Sequence, residues 1–192
     1  MRELEKASAG LLYDALHDPE LRALRDQAAD QLYDYNHSRQ TDRIRRQTLL
    51  AALLGSLGDE VTITTPFHCE YGFNLHLGDN VHIDTNLTVF DGARIDIGNN
   101  VFIAPNVGLY ASDHPMDAER RNQGMKHASP ITIGDNVWIG ASTTILPGIT
   151  IGEGSVIGSG SVVTHDIPAG MVAFGNPCRV VRPVSEQDTP GS

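Results

Sequence analysis

The sequence predicts a mainly β fold: a parallel β-helix fronted by a small helical cap and interrupted once by a protruding loop. Three observations carry this. Apolar residues recur at helical spacing up to Gly58, an aliphatic residue then returns every sixth position, and 16 of the 19 glycines lie beyond that boundary. Charge divides at the same place. Residues 1–58 hold 8 Lys and Arg against 9 Asp and Glu, whereas residues 59–192 hold 6 against 15.

Residues 1–58 form the expected cap. Leu4, Ala7, Leu11 and Leu12 recur at helical spacing, as do Leu21, Leu24, Ala28 and Leu32. A third helix is predicted from about Asp42 to Leu54, with His37-Ser38 and Thr41-Asp42 supplying turn and N-cap chemistry before it and Gly55 and Gly58 ending it.

From residue 59 to 183 the period is six. Ile133, Ile139, Ile145, Ile151, Ile157 and Val163 recur without a gap, and Gly follows at 134, 140, 152 and 158. The upstream half keeps the period in Leu77, Ile83 and Val89 and again in Ile97, Ile103 and Leu109, with a two-residue slip near Asp91-Gly92 between the two registers. Six residues suit one short strand and one corner, so three repeats make one coil of a prism. The aliphatic side chain points inward, and Gly, Asn and Asp take the corners that need unusual backbone dihedrals. Between Leu109 and Ile131 the period is lost. The polar insert, residues 110–130, cannot join the prism and must leave it, and such a loop on a rigid scaffold is a common place for chemistry. The segment 184–192 reads as a disordered tail.

The acidic surface argues against nucleic acid or an anionic membrane as a partner. No apolar run approaches the roughly 18 residues of a membrane span, and the N-terminus lacks a signal peptide's apolar stretch, so the expected address is the cytoplasm. Cys69 and Cys178 are too few for a disulfide framework or a cysteine zinc site.

The hexads, together with LLYDALHDPELRALR, YDYNHS, DHPMD, PITIGDNVWIG, ILPGITIG, SVVTHDIP and GNPCRVVR, resemble the maltose and galactoside O-acetyltransferases of the left-handed β-helix acyltransferase superfamily, over about residues 4–183. The resemblance implies a left-handed parallel β-helix and a homotrimer in which acetyl-CoA lies between neighbouring prisms. It also implies transfer of the acetyl group to a sugar hydroxyl, with no metal.

A sugar hydroxyl is a poor nucleophile at neutral pH and needs a base of pKa near about 6.5, which imidazole supplies. By resemblance that base is His114, in the insert and followed by Pro115. The oxyanion formed on attack needs donors. The resemblance places one at the Ala141 N–H and a side-chain amide at Asp84, where this chain has a carboxylate. Either Asp84 holds the acceptor hydroxyl or Asn86 takes over as donor.

For the acceptor, the matched positions are Asp14, Glu70 and Arg22, with His82 and Gly92 standing where a relative has an aromatic residue and an acid. Paired carboxylates suit a polyol, since each oxygen accepts from a hydroxyl. For acetyl-CoA, the resemblance implies that Arg179 and Arg182 meet the phosphates and Thr164 adds a contact. His165 stands where a Lys is common, Trp138 lines the acetyl end, and Gly158 and Ser159 line the groove.

Three other readings use the same prism. His76 and His82 lie six apart, which the period reads as stacked on one face in the manner of a shared metal, as in the γ-class carbonic anhydrases. Acyltransferases acting on streptogramins or serine share the prism but usually lack this cap, and Asp84 and His165 keep open a β-helix subunit without chemistry.

Overall fold

A computed structural model of the chain describes residues 1–185 and 188. Its body is a three-faced prism of parallel strands. The first face stacks Ser56–Leu57, Leu75–Leu77, Ile95–Ile97, Ile131–Ile133 and Thr150–Ile151. The second stacks Thr62–Ile63, His82–Ile83, Phe102–Ile103, Trp138–Ile139 and Val156–Ile157, and continues into a hairpin of Met171–Gly175 and Cys178–Pro183. The third stacks Phe67–Cys69, Leu87–Phe90, Gly108–Tyr110, Thr144–Ile145 and Val162–Val163.

The hexad aliphatic residue points inward on each face. On the second, Ile63, Ile83, Ile103, Ile139 and Ile157 lie in one register column and none is more than 2% exposed. Each such burial contributes roughly 1.5–3 kcal/mol. Corners fall at residues with positive φ. Asn80, Asn86, Asn100 and Asn106 are of this kind, and their side-chain amides form ladders from coil to coil, Asn80 to Asn100 at 2.8 Å and Asn86 to Asn106 at 3.0 Å. Coils approach closely at Gly140, where a Cβ would meet the Ser159 nitrogen at 2.5 Å.

Coil length is not constant. The column steps by 18 residues from Ile139 to Ile157, by 20 from Ile63 to Ile83 and from Ile83 to Ile103, and by 36 from Ile103 to Ile139. Every extra residue falls between the third and first faces. The slip expected near Asp91-Gly92 is therefore one of a pair, the other being at Glu70-Tyr71, and the insert leaves from the same corner one coil later. Asp91 ties the two bulges together. Fully buried, its carboxylate accepts from the backbone N–H of Glu70 (3.1 Å), Tyr71 (2.8 Å) and Asn74 (3.3 Å), while Asn74 Nδ2 donates to its carbonyl. Desolvation raises its pKa to about 6 against the pull of those N–H groups.

The cap contains α1 (Glu3–Ser8), α2 (Pro19–Asn36) and α3 (Arg43–Leu53). Leu11 and Leu12 fall outside the first helix, contrary to their spacing. Gly10, at φ 68°, ends the helical segment, and the chain extends into the strand Tyr13–Asp14. Asp18 and Asp42 cap the other two helices by accepting from Leu21 N and Arg45 N. The open end of a β-helix exposes a row of unpaired backbone groups. Here the cap satisfies them: Gln47 donates to Val61 O, Tyr35 and Arg46 to Ile63 O, and Asn36 both donates to Phe67 O and accepts from Phe67 N.

The insert leaves the prism as its missing period requires, yet it is ordered. It holds Ser112–Asp113, the short α4 (Ala118–Asn122) and Met125–Ala128. Met125–Ala128 pairs antiparallel with Ser112–Asp113 and with Tyr13–Asp14, so insert and cap share a three-stranded sheet. The tail is described as far as Ser185 and at Asp188, which pairs with Arg182 at 2.6 Å. Of the segment expected to be disordered, 184–192, residues 186–187 and 189–192 lie outside the described residues. No helix among the described residues is long and apolar enough to cross a membrane.

Candidate active site

Strand alternation turns Thr62, His82, Phe102 and Trp138 outward on the second face, where they line a cavity of about 390 Å³ with Thr64 and Asp84. The His82 ring stacks on Phe102 with centroids 5.0 Å apart. Both its nitrogens are engaged, Nδ1 2.9 Å from Thr62 Oγ1 and Nε2 2.9 Å from Asn80 Oδ1. Phe102 and Trp138 remain 49% and 56% exposed, an apolar strip facing outward. Asn86 does not line the cavity, and its amide is already donating along the corner ladder.

The corner after the second face continues upward from Asp84. Asp84 N donates to Ile103 O, Ala104 N to Ile139 O, Gly140 N to Ile157 O and Gly158 N to Ala173 O. Asp84, Trp138, Ala141, Gly158 and Ser159 therefore belong to one edge of the prism. No acceptor among the described residues takes the Ala141 N–H. Arg179 and Arg182 lie on the hairpin that extends this face, opposite Phe174 and Val172. Arg182 is engaged by Asp188, and Arg179 donates to Cys178 O.

His114 is elsewhere. It is exposed in the insert, its Nδ1 3.0 Å from the carbonyl oxygen of Met125. Thr164 and His165, with Oγ1 and Nδ1 2.9 Å apart, follow the last strand of the third face, at the corner from which the insert leaves. The expected residues thus divide between two corners, with the third face between them.

The expected acceptor residues do not all gather: Glu70 and Gly92 both adjoin the buried Tyr13, whereas Asp14 and Arg22 lie apart from them. Tyr13 is fully buried and pairs in register with Lys126, so Asp14, the next residue on the strand, points to the opposite side. Its carboxylate accepts from Leu16 N and His17 N and shapes the turn into α2. Glu70 is on the inner side, 2.8 Å from Lys126 Nζ, with side-chain exposures of 8% and 13%. Asp14 and Glu70 are therefore not the paired carboxylates expected. Gly92 is buried, and a Cβ there would meet Tyr13 Oη and Ser112 Cβ at 2.8 Å, so Tyr13 and Ser112 fill the space that an acid at 92 would need. Arg22 is exposed on α2.

The stacking expected of His76 and His82 is also corrected. Six residues carry the chain from one face to the next, so His76 lies on the first face beside Ser56 and His82 on the second. True stacking needs a full coil. Among the described residues no group of three or more His, Cys, Asp or Glu is placed to hold a metal.

Phe102 escaped the sequence reading, although one coil of 20 residues leads from His82 to it and a step of 36 leads on to Trp138. Lys126 is one of the six Lys and Arg beyond Gly58, and its partner Glu70 is 56 residues away. A larger opening of about 1000 Å³, between α3 and the first coil near Arg43 and Gln47, contains none of the expected site residues.

The maltose acetyltransferase hexapeptide capping motif matches residues 6–58, and the bacterial transferase hexapeptide (six repeats) matches residues 130–165. Among solved structures, a maltose O-acetyltransferase from Clostridium difficile 630 is 42% identical, covering 97% of this chain and 99% of its own, with a TM-score of 0.94. A galactoside acetyltransferase in complex with coenzyme A is 40% identical over 98% of this chain and 94% of its own, at a TM-score of 0.93. A hexapeptide-repeat acetyltransferase from Vibrio cholerae O1 biovar eltor, complexed with acetyl-coenzyme A, is 38% identical over 97% and 100%, at 0.89. With both the cap and the coils matched, the chain belongs to the maltose and galactoside O-acetyltransferase family of hexapeptide-repeat acetyltransferases.

Proposed function

We propose that this protein transfers an acetyl group from acetyl-CoA to a hydroxyl of a sugar, with His114 as general base and with each site built between two copies of a homotrimer. The observation that carries the reading is the His114–Met125 contact. A carbonyl only accepts, so Nδ1 holds the ring proton and donates, and Nε2 keeps its lone pair for the hydroxyl proton. The thioester supplies an activated acetyl carbon. The Ala141 N–H, with no acceptor of its own among the described residues, suits the oxygen on which charge develops.

Arg179 and Arg182 suit the phosphates of the donor in an otherwise acidic prism, and the half-exposed Trp138 suits its apolar arm. Asp84, at the rim of the cavity, accepts from the acceptor hydroxyl and does not act as an oxyanion donor, because an ionised carboxylate has no proton to give. The division of these groups between two corners favours a site closed by a neighbouring copy: the His114 corner of one prism meets the Asp84–Trp138 corner of the next. Cys69 and Cys178 are both free and buried, which fits a reducing cytoplasm.

Thioester release from acetyl-CoA with a panel of sugars tests the reaction, and sedimentation equilibrium tests the trimer. Turnover that depends on a sugar and disappears in His114→Ala supports the reading. Undiminished turnover in that variant, or a monomer with full activity, refutes it.

A further inference from the structure

We infer that Lys126 and Glu70 are positioning residues, an ion pair that latches the strand behind His114 onto the prism. The inference rests on the reading of His114 as base. Lys126 follows Met125 directly, and the Met125 carbonyl is the atom that meets His114 Nδ1. On the other side of the pair, Glu70 sits in the first bulged corner, where its own N–H donates to the buried Asp91 carboxylate. The ion pair therefore joins the strand that supports the base to the corner of the prism tied by Asp91.

Three features separate this pair from an ordinary surface contact. Both side chains are about nine-tenths buried, so solvent screens little of their attraction. Lys126 also lies over the Phe90 ring, 5.5 Å from its centroid, which fixes the ammonium from a second direction. Neither Glu70 oxygen faces open solvent: Oε1 accepts from Lys126, and Oε2 is buried with no partner among the described residues. An acceptor hydroxyl has no approach to this carboxylate, which reassigns Glu70 from sugar binding to support of the base. The strand is held on its far side as well, because Tyr13 pairs with Lys126 and Asp14 with Met125. The segment between α1 and α2 thus braces the base-bearing insert as well as belonging to the cap.

The test compares Lys126→Met, Lys126→Arg and Glu70→Gln/Lys126→Met, the last removing both charges so that no unpaired one stays buried. A misplaced base slows chemistry without weakening donor binding, so kcat should fall about tenfold or more in Lys126→Met and in the double variant, with KM for acetyl-CoA and for the sugar within about twofold. Lys126→Arg, which keeps the charge, should recover most of kcat. Long-range ¹H–¹⁵N correlation of labelled histidine should show His114 largely as the Nδ1–H tautomer in the wild type and mixed in Lys126→Met. Full kcat in the double variant, or an unchanged tautomer, overturns the latch. A raised sugar KM at constant kcat instead returns Glu70 to acceptor binding. Full activity in His114→Ala is a different failure, that of the base itself.

Discussion

The Nδ1 atom of His114 lies 3.0 Å from the carbonyl oxygen of Met125, two residues that the insert separates by a helix and a turn and brings back together by strand pairing. Since His114 is exposed and its ring makes this one hydrogen bond among the described residues, replacing it should leave the fold intact. His114→Ala is expected to lower kcat by about 10²–10⁴-fold, the usual contribution of a general base, with an unchanged thermal midpoint. Steady-state kinetics beside a melting curve checks both parts.

Asp84 stands at the rim of the cavity that Trp138 and Phe102 line. A hydrogen bond from the acceptor to an ionised carboxylate contributes about 1.5–3 kcal/mol, so Asp84→Ala should raise KM for the sugar by at least about tenfold and leave KM for acetyl-CoA alone. A gain in kcat on Asp84→Asn would instead assign this position to the oxyanion.

Arg46 on α3 is buried where the cap meets the prism, and there it donates to Ser38 Oγ at 2.9 Å, to Tyr35 Oη at 2.7 Å and to Ile63 O at 2.8 Å, with its guanidinium 4.2 Å from the Tyr35 ring centroid. Arg46→Met leaves these acceptors poorly satisfied and should destabilise the protein by about 3 kcal/mol. Chemical denaturation reads the loss directly. Acetyl transfer below the melting range should be nearly unaffected, because the cap end of the prism holds none of the proposed catalytic groups.

Asp91 makes stability depend on pH in a direction opposite to most carboxylates. Its folded-state pKa, about 6, lies above the ordinary value of 3.8, so between these values the folded protein binds the extra proton. The stability linked to that proton is present in full near pH 4 and is lost as the pH rises through 6, by at most about 3 kcal/mol. Asp91→Asn removes this dependence. The advantage of wild type over the variant, measured by urea unfolding at several pH values, should shrink from pH 4 to pH 7; an advantage that grows would show that the three N–H bonds to the carboxylate outweigh its burial.

Ile139 is fully buried midway along its column, between Ile103 and Ile157. Ile139→Ala should cost about 2–5 kcal/mol through the cavity it opens, and Ile139→Asp should abolish folding, seen as loss of soluble protein or of the cooperative melt.

Much of the prism is legible from one property, the return of an aliphatic residue every sixth position, because each hexad sees the same inward environment and the same corner. The helix caps Asp18 and Asp42 are equally local, each acting within three residues. Where regular structure ends is less so, as Leu11 and Leu12 show: their helical spacing is overruled by Gly10 and by a strand that finds its partner in the insert, over a hundred residues on.

The candidate site is legible in the sequence as separate residues but not as an assembly. His114, Asp84 and Trp138 are candidates that the family resemblance names one by one, yet which of them meet depends on how many residues make one coil, and that number changes with each bulge held by Asp91 and with the insert. For the same reason His76 and His82, six apart, part onto two faces, while His82, Phe102 and Trp138, separated by 20 and 36 residues, line one cavity. Burial then settles what charge alone leaves open. Along the chain Glu70 reads as an acceptor carboxylate and Lys126 as one of few cations, and the two become a nearly dry ion pair only when the insert folds back over the corner, where the low polarity of the surroundings strengthens their attraction.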